Sequence, residues 1–175
     1  EIFLFFSILV LIPANLFFFK NKVFKNSSKF SCFVILITLI LVLFSSSDGI
    51  GFNGLFSISN FQKYIKVLIL CCVFFILLMT KNKSEIEGIN YPEFNLLTLL
   101  CTCGMLMVVS SNNLMTLYLS LELQALPIYI LCALRKNDIR SSESSLKYFL
   151  LGALSSGFLL FGISLIYGFS GSVSF

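Results

Sequence analysis

The stretch Leu114–Leu134, LMTLYLSLELQALPIYILCAL, decides the fold. Its 21 residues are almost wholly apolar, and this length is sufficient for a helix to cross a bilayer. Glu122 lies near the middle, where a carboxylate costs about 2.5–3.5 kcal/mol on insertion scales. Pro127 removes one backbone donor, so the carbonyl of Leu123 loses its usual helical partner. The stretch therefore predicts a membrane-spanning helix that carries a buried acid beside a weakened turn.

The composition of the whole chain agrees with a membrane protein. Apolar residues make up 58% of the sequence and charged residues only 11%, whereas a soluble domain carries about 25% charged residues. The apolar residues fall in long runs without the alternation of barrel strands, which indicates helices. Heavy use of Phe, Leu, Ile, Asn, Lys and Ser suggests an AT-rich genome such as that of an organelle.

Metal and cofactor sites are not predicted in this chain. Histidine is absent, so the commonest metal ligand and neutral-pH base is missing. The six cysteines lie inside apolar runs, and neither the Cys71-Cys72 pair nor Cys101-Thr102-Cys103 has a zinc or iron–sulfur spacing. Phosphate-binding loops, nucleophile motifs and signs of nucleic-acid binding are also lacking. The region before the first apolar run is not basic, so a cleaved signal is not predicted.

Six apolar runs predict an all-α integral membrane protein with six transmembrane helices. The predicted spans are residues 2–19, 30–47, 61–79, 93–109, 114–134 and 146–169. Between the second and third spans, the glycine-rich segment 48–60 predicts a turn-rich loop with a small hairpin around Asn53-Gly54.

The distribution of cations supports the count of six. Nine of the twelve Lys and Arg residues fall in the loops after spans one, three and five. This asymmetry places those loops on the matrix or cytoplasmic face and both termini on the opposite face. Lys63 and Lys66, at the start of span three, are expected to snorkel to the interface. The nine loop cations are Lys20, Lys22, Lys25, Lys29, Lys81, Lys83, Arg135, Lys136 and Arg140.

Glu122 is the first candidate for chemistry. In a helix, Tyr118, Glu122, Ala125 and Tyr129 share one face, so two phenols flank the carboxylate. Acids inside a membrane usually mark ion or proton paths. The alternative is a structural role, in which Glu122 joins two helices by a hydrogen bond.

Lys147 is the second candidate, and its alternative is a snorkelling lysine at a helix start. Glu122 precedes Arg135 by 13 residues, which places it about 20 Å from the cation-rich end of its helix. Lys147 is expected within about a turn of its own helix start. A direct ion pair between them is therefore not expected, which leaves a water-bridged relation open. In the sixth span, Gly152–Ser156 and Ala153–Gly157 are small-xxx-small pairs that permit close helix approach.

Two segments resemble a known family. LYLSLELQALPIYILCAL at Leu117–Leu134 and SSLKYFLLGALSSGFLLFGISLIYGFSG at Ser144–Gly171 resemble subunit 2 of respiratory complex I, the NADH:ubiquinone oxidoreductase. This is the antiporter-like membrane subunit that bacteria call chain N. The resemblance is strong over residues 92–171 and weaker over residues 1–91.

The resemblance implies the architecture and the site. Family members have about fourteen helices with two inverted five-helix repeats, a general transporter plan. Residues 1–91 would hold three N-terminal helices, and residues 92–175 the first three helices of the first repeat. Glu122 matches the family's key glutamate on helix five, and Lys147 matches a lysine near the start of helix six. The glutamate's main partner in the family is a lysine on a broken seventh helix. The sequence stops at Phe175, so we expect a split subunit whose remaining part carries helix seven onward, or an incomplete chain.

The function implied is proton translocation coupled to electron transfer from NADH to ubiquinone, in the mitochondrial or bacterial inner membrane. The expected partners are the rest of subunit 2, neighbouring membrane subunits and lipids. FMN, iron–sulfur clusters and ubiquinone are expected elsewhere in the complex. The alternatives are a subunit of a multi-subunit cation/proton antiporter and a structural membrane subunit without an ion path.

Overall fold

The computed structural model describes residues 2–17, 23–45, 49–87, 92–135 and 138–175. Helices α2 to α6 are long and apolar enough to cross a membrane, and α1 is a shorter apolar helix. The predicted all-α membrane fold is confirmed. In chain order, the elements are α1 (Ile2–Phe17), α2 (Val23–Phe44), β1 (Gly49–Gly51), β2 (Phe56–Ile58), α3 (Asn60–Glu87), α4 (Pro92–Ser110), α5 (Leu114–Cys132) and α6 (Ile139–Ser170).

Three helices extend well beyond the predicted spans. The helix α2 begins at Val23 instead of residue 30, α3 continues to Glu87 instead of residue 79, and α6 begins at Ile139 instead of residue 146. Hydropathy marks only the part of a helix that lies in lipid, whereas the backbone hydrogen bonds continue into polar sequence. Asp138 caps α6, because its carboxylate accepts a 3.0 Å hydrogen bond from the backbone N–H of Arg140. Positions 18–19 and 46–47 of the first two predicted spans lie outside the described residues.

The predicted hairpin is confirmed. Strands β1 and β2 are antiparallel, with Gly49 opposite Ile58 and Gly51 opposite Phe56. Gly54 has φ of 90°, a left-handed conformation that glycine adopts without steric cost. Two hydrogen bonds from Asn112 fasten the turn to the link between α4 and α5: its backbone N–H donates to the Leu55 carbonyl and its Nδ2 to the Gly54 carbonyl, both at 3.0 Å.

The hydrophobic core lies between α1, α2, α3 and α4. Its fully buried side chains include Leu4 and Leu11 of α1, Ile35 of α2, Leu70 of α3 and Leu99 of α4. The helix α4 packs against each of the other three and also against α5. It therefore connects this four-helix bundle to the second half of the chain.

The last two helices project from the bundle. The helix α5 packs on α4, and among the described elements it is the only one that makes an extended contact with α6. Only Ile163 of α6 is fully buried. Most of the α6 surface is thus exposed apolar side chain, which suits contact with lipid or with protein outside this chain.

The contact between α4 and α5 is closest at Gly104. A Cβ at this position would lie 2.6 Å from the backbone nitrogen of Gln124 and 2.9 Å from its Cα. Atoms of the backbone cannot move aside as a side chain can, so only glycine fits here. The distance between the bundle and α5 is set at this point.

We expect the substitution Gly104→Ala to force α4 and α5 apart. Overpacking of this kind costs about 1–3 kcal/mol, and the thermal melting of the assembled membrane complex should fall. Gly157→Ala on α6 is the control, because no atom lies within 4 Å of a Cβ there and alanine favours a helix over glycine by about 1 kcal/mol. Equal melting temperatures for the two variants would contradict the close contact.

Candidate functional site

Glu122 lies in the continuous helix α5, seven residues above Tyr129 and far from either helix end. Its side chain is half-buried. Within the part of the chain that the structure describes, no residue donates a hydrogen bond to its carboxylate or forms an ion pair with it. A carboxylate in a membrane needs a proton, a cation or a hydrogen-bond donor, so the four-helix bundle and α6 do not satisfy this group.

The phenols of Tyr118 and Tyr129 lie on the same helical face as Glu122. All three side chains are half-buried, and α5 runs without a break through Pro127 between them. Ser120, on a neighbouring face, is buried and donates to the Thr116 carbonyl at 2.6 Å, so its hydroxyl is satisfied within the helix.

Tyr129 joins this face to α6. Its ring packs edge-on against Tyr148, with centroids 5.1 Å apart, and against Phe149 at 5.7 Å. Edge-to-face pairs of this kind are stabilising. Its hydroxyl lies over Gly152, where a Cβ would overlap the phenol oxygen and would lie 2.6 Å from Cζ. Gly152 therefore provides the space in which the phenol is seated.

The Tyr129–Gly152 contact fixes the relative heights of Glu122 and Lys147. Glu122 lies seven residues from Tyr129 along α5, and Lys147 lies five residues from Gly152 along the antiparallel α6 in the opposite direction. At a rise of 1.5 Å per residue, the path from Glu122 along α5 to this contact and on along α6 to Lys147 is about 18 Å long. The side chains cannot span this distance, and the Tyr129 hydroxyl lies at a level between them.

Lys147 pairs with Glu143, one helical turn earlier, and both side chains are exposed. The expectation that Lys147 lies within a turn of its helix start is wrong, because α6 begins at Ile139 and places Lys147 more than two turns inside it. Glu143 was not predicted as its partner. The i, i+4 spacing is the signal that identifies this pair once the helix is known to extend back to Ile139.

The expectation that Lys63 and Lys66 both snorkel outward is wrong for Lys66, which is only 7% exposed. Lys63 donates a 2.9 Å hydrogen bond to the Ser45 carbonyl. Both lysines line a cleft of about 330 Å³ between the hairpin and the ends of α1 to α4. The sequence showed a cation on a helix start, but the packing of four helices around Lys66 could not be inferred from it.

The structure also places the two small-residue pairs of the sixth span. Gly152 and Ser156 are half-buried on the side of α6 that meets α5, whereas Ala153 and Gly157 are exposed. Among the described residues, no group of three or more Cys, Asp or Glu could hold a metal. Lys20, Lys22 and Lys136 lie outside the described residues, as do the side chains of Lys25, Lys81 and Lys83.

Comparison with known proteins shows which proteins the chain resembles. Residues 111–175, which include Glu122, Tyr129 and Lys147, match the family described as "NADH:quinone oxidoreductase/Mrp antiporter, TM". The predicted resemblance to complex I chain N is also confirmed. The NADH-quinone oxidoreductase subunit N of Bartonella bacilliformis is 43% identical over 138 residues, covering 79% of the chain and 28% of that protein.

A second bacterial subunit N is similar to the chain over a comparable length. Subunit N of Rhodobacter capsulatus is 39% identical over 156 residues, covering 89% of the chain and 33% of that protein. The chain thus spans about a third or less of the length of these relatives.

Solved structures agree in fold. A chain in respiratory complex I from Thermus thermophilus superimposes with a TM-score of 0.81 at 24% identity, covering 98% of this chain and 37% of that chain. A chain of an archaeal membrane-bound sulfane sulfur reductase superimposes with a TM-score of 0.83 at 20% identity, again covering 98% and 37%. The six-helix arrangement is therefore shared by complexes whose names indicate different reactions.

We expect Gly152→Ala to displace the Tyr129 phenol and loosen the α5–α6 contact. The assembled complex should melt at a lower temperature, by an amount that corresponds to about 1–3 kcal/mol of overpacking. Adding Tyr129→Leu should recover part of this loss, because the leucine side chain leaves room for the new methyl group. Gly162→Ala on the same helix, where no atom lies within 4 Å of a Cβ, is the matched control. Equal losses at both glycines would show that the phenol is not seated at Gly152.

Proposed function

We propose that this chain forms part of the proton-translocating membrane arm of an NADH:quinone oxidoreductase. In this role it holds no redox cofactor. Electron transfer through FMN and iron–sulfur clusters to quinone takes place in other subunits, and the chain contributes a carboxylate whose charge changes as protons move. The observation that carries the proposal is Glu122, an acid in the middle of a membrane helix with no hydrogen-bond or ion-pair partner among the described residues.

The proposed mechanism needs a cation that approaches Glu122 from outside this chain. Lys147 does not provide it, because it pairs with Glu143 and lies about 18 Å away along the helix axes. The exposed surface of α6 leaves room for further helices. We propose that the remaining part of the subunit, from the seventh helix onward, packs there and contributes a lysine that pairs with Glu122. Alternation of the pairing of Glu122 between this lysine and groups of the neighbouring subunit would couple proton steps along the membrane arm.

The proposed topology places the described Arg135 and Arg140, together with the loops after α1 and α3, on the matrix or cytoplasmic side. Both termini then lie on the other side, with the hairpin. We propose residues 1–91 as the N-terminal helices and residues 92–175 as the start of the first repeat. The AT-rich codon usage that the composition suggests favours the mitochondrial inner membrane.

A second candidate function is a subunit of a multi-subunit cation/proton antiporter, because the description of the matched family names Mrp antiporters as well. An unpaired intramembrane carboxylate would serve either function. Sodium-dependent transport without NADH oxidation would favour the antiporter, whereas co-purification with flavin and iron–sulfur subunits would favour the oxidoreductase. Wild-type turnover after Glu122→Leu would support a purely structural subunit.

We expect Glu122→Gln to impair coupled turnover, since glutamine keeps the shape of the side chain and cannot change its charge. NADH:quinone turnover and proton uptake should both be measured in vesicles that contain the whole complex. Turnover should fall at least about tenfold, which corresponds to about 1.4 kcal/mol in the barrier. Glu93→Gln, at an exposed acid in the first turn of α4, is the control and should behave like the wild type. Wild-type pumping by an assembled Glu122→Gln complex would refute the proposal.

We expect Lys147→Gln to slow proton uptake from the matrix or cytoplasmic side, because a cation inside α6 helps to order water toward the Glu122 face. Glu143→Gln removes the ion pair but keeps the cation. If the cation is what matters, proton uptake should be retained in Glu143→Gln and reduced in Lys147→Gln, in the same vesicle measurement. A loss of the same size in both variants would assign the effect to the pair, and wild-type rates in both would remove Lys147 from the proposed path.

A further inference from the structure

We propose that Tyr129 is a positioning residue for proton transfer, whose hydroxyl holds water between the levels of Glu122 and Lys147. This inference rests on the proposed function and adds a residue to it. The location of the hydroxyl, the rigidity of its seat and its freedom to bind water are three separate observations that point to this role.

The location of the hydroxyl is the first observation. From the Tyr129–Gly152 contact, Glu122 lies about 10 Å back along α5 and Lys147 about 8 Å back along α6. Each interval is too long for a direct hydrogen bond and suits a short chain of waters. Without Tyr129, such a chain would have to cover the full distance of about 18 Å.

The second observation is the rigidity of the seat. The ring is held edge-on by Tyr148 and Phe149, with interplanar angles of 84° and 86°. Gly152 leaves space for the oxygen at the contact between the two helices. The position of the hydroxyl is therefore set by the packing of α5 on α6, and the ring cannot swing toward α6 without a steric overlap.

The third observation is that the hydroxyl is free to bind water. Tyr129 is half-buried, and no hydrogen bond links its hydroxyl to another of the described residues. A phenol both donates and accepts, so one water on each side would satisfy it and connect the two directions.

The test is Tyr129→Phe in the whole complex, which keeps the ring contacts and removes only the oxygen. Assembly and melting temperature should stay at wild-type values. Coupled turnover should fall about tenfold, less than the roughly 100-fold effect of a direct proton donor, because water can still reach this level. The solvent deuterium isotope effect on turnover should rise above the wild-type value, since proton transfer becomes rate-limiting. A purely structural role of Tyr129 would not change the isotope effect.

Tyr64→Phe is the matched control, because Tyr64 is an exposed tyrosine of α3 and lies outside the candidate site. It should change neither the turnover nor the isotope effect as Tyr129→Phe does. Equal effects in both variants, or wild-type behaviour of Tyr129→Phe, would overturn the inference. Comparison with Glu122→Gln separates the two proposals. If Glu122→Gln impairs coupled turnover and Tyr129→Phe does not, only the role of Tyr129 is refuted. If Glu122→Gln behaves like the wild type, the proposed function itself is refuted.

Discussion

The approach of two helix backbones at Gly104 is the constraint on which the rest of the structure depends. The four-helix bundle has its own buried core, but α5 and α6 do not. The helix α5 is held mainly by α4, and α6 is held by α5. The position of Glu122 and Tyr129 relative to the bundle is therefore set where the backbone of Gln124 passes over Gly104. The absence of a side chain at Gly104 of α4 thus determines where the Glu122 carboxylate lies.

Much of the fold could be predicted from hydropathy and turn chemistry. The helical class and the hairpin around Asn53-Gly54 are confirmed, and the described residues form six helices, five of them long and apolar enough to cross a membrane. The helix ends were less accurate, most clearly at α6, because the transition from lipid to water does not interrupt backbone hydrogen bonds. The capping interaction of Asp138 marks the true start. The sequence Asp138-Ile139-Arg140 contains this signal, but the polar segment that follows was interpreted as a loop.

The candidate site could be predicted only in its chemistry. A carboxylate in an apolar run can be recognised from the sequence alone, and so can a helical face that it shares with two phenols. The partner of Tyr129 is not visible, because Gly152 has no side chain that would attract attention and lies on another helix. The small-residue pattern around Gly152 indicated close packing without showing what packs there. Lys66 is a similar case, since its burial results from four helices that converge around it.

The seam between α5 and α6 has a mechanical consequence. At one end, the Ser141 hydroxyl donates to the Cys132 carbonyl at 2.6 Å, and at the other, the Leu114 N–H donates to the Val173 carbonyl at 2.8 Å. The phenol of Tyr129 over Gly152 lies between these two points. Three attachments along one line prevent α6 from sliding lengthwise against α5. The register of the two helices is therefore fixed, and the far side of α6 keeps a constant height relative to Glu122.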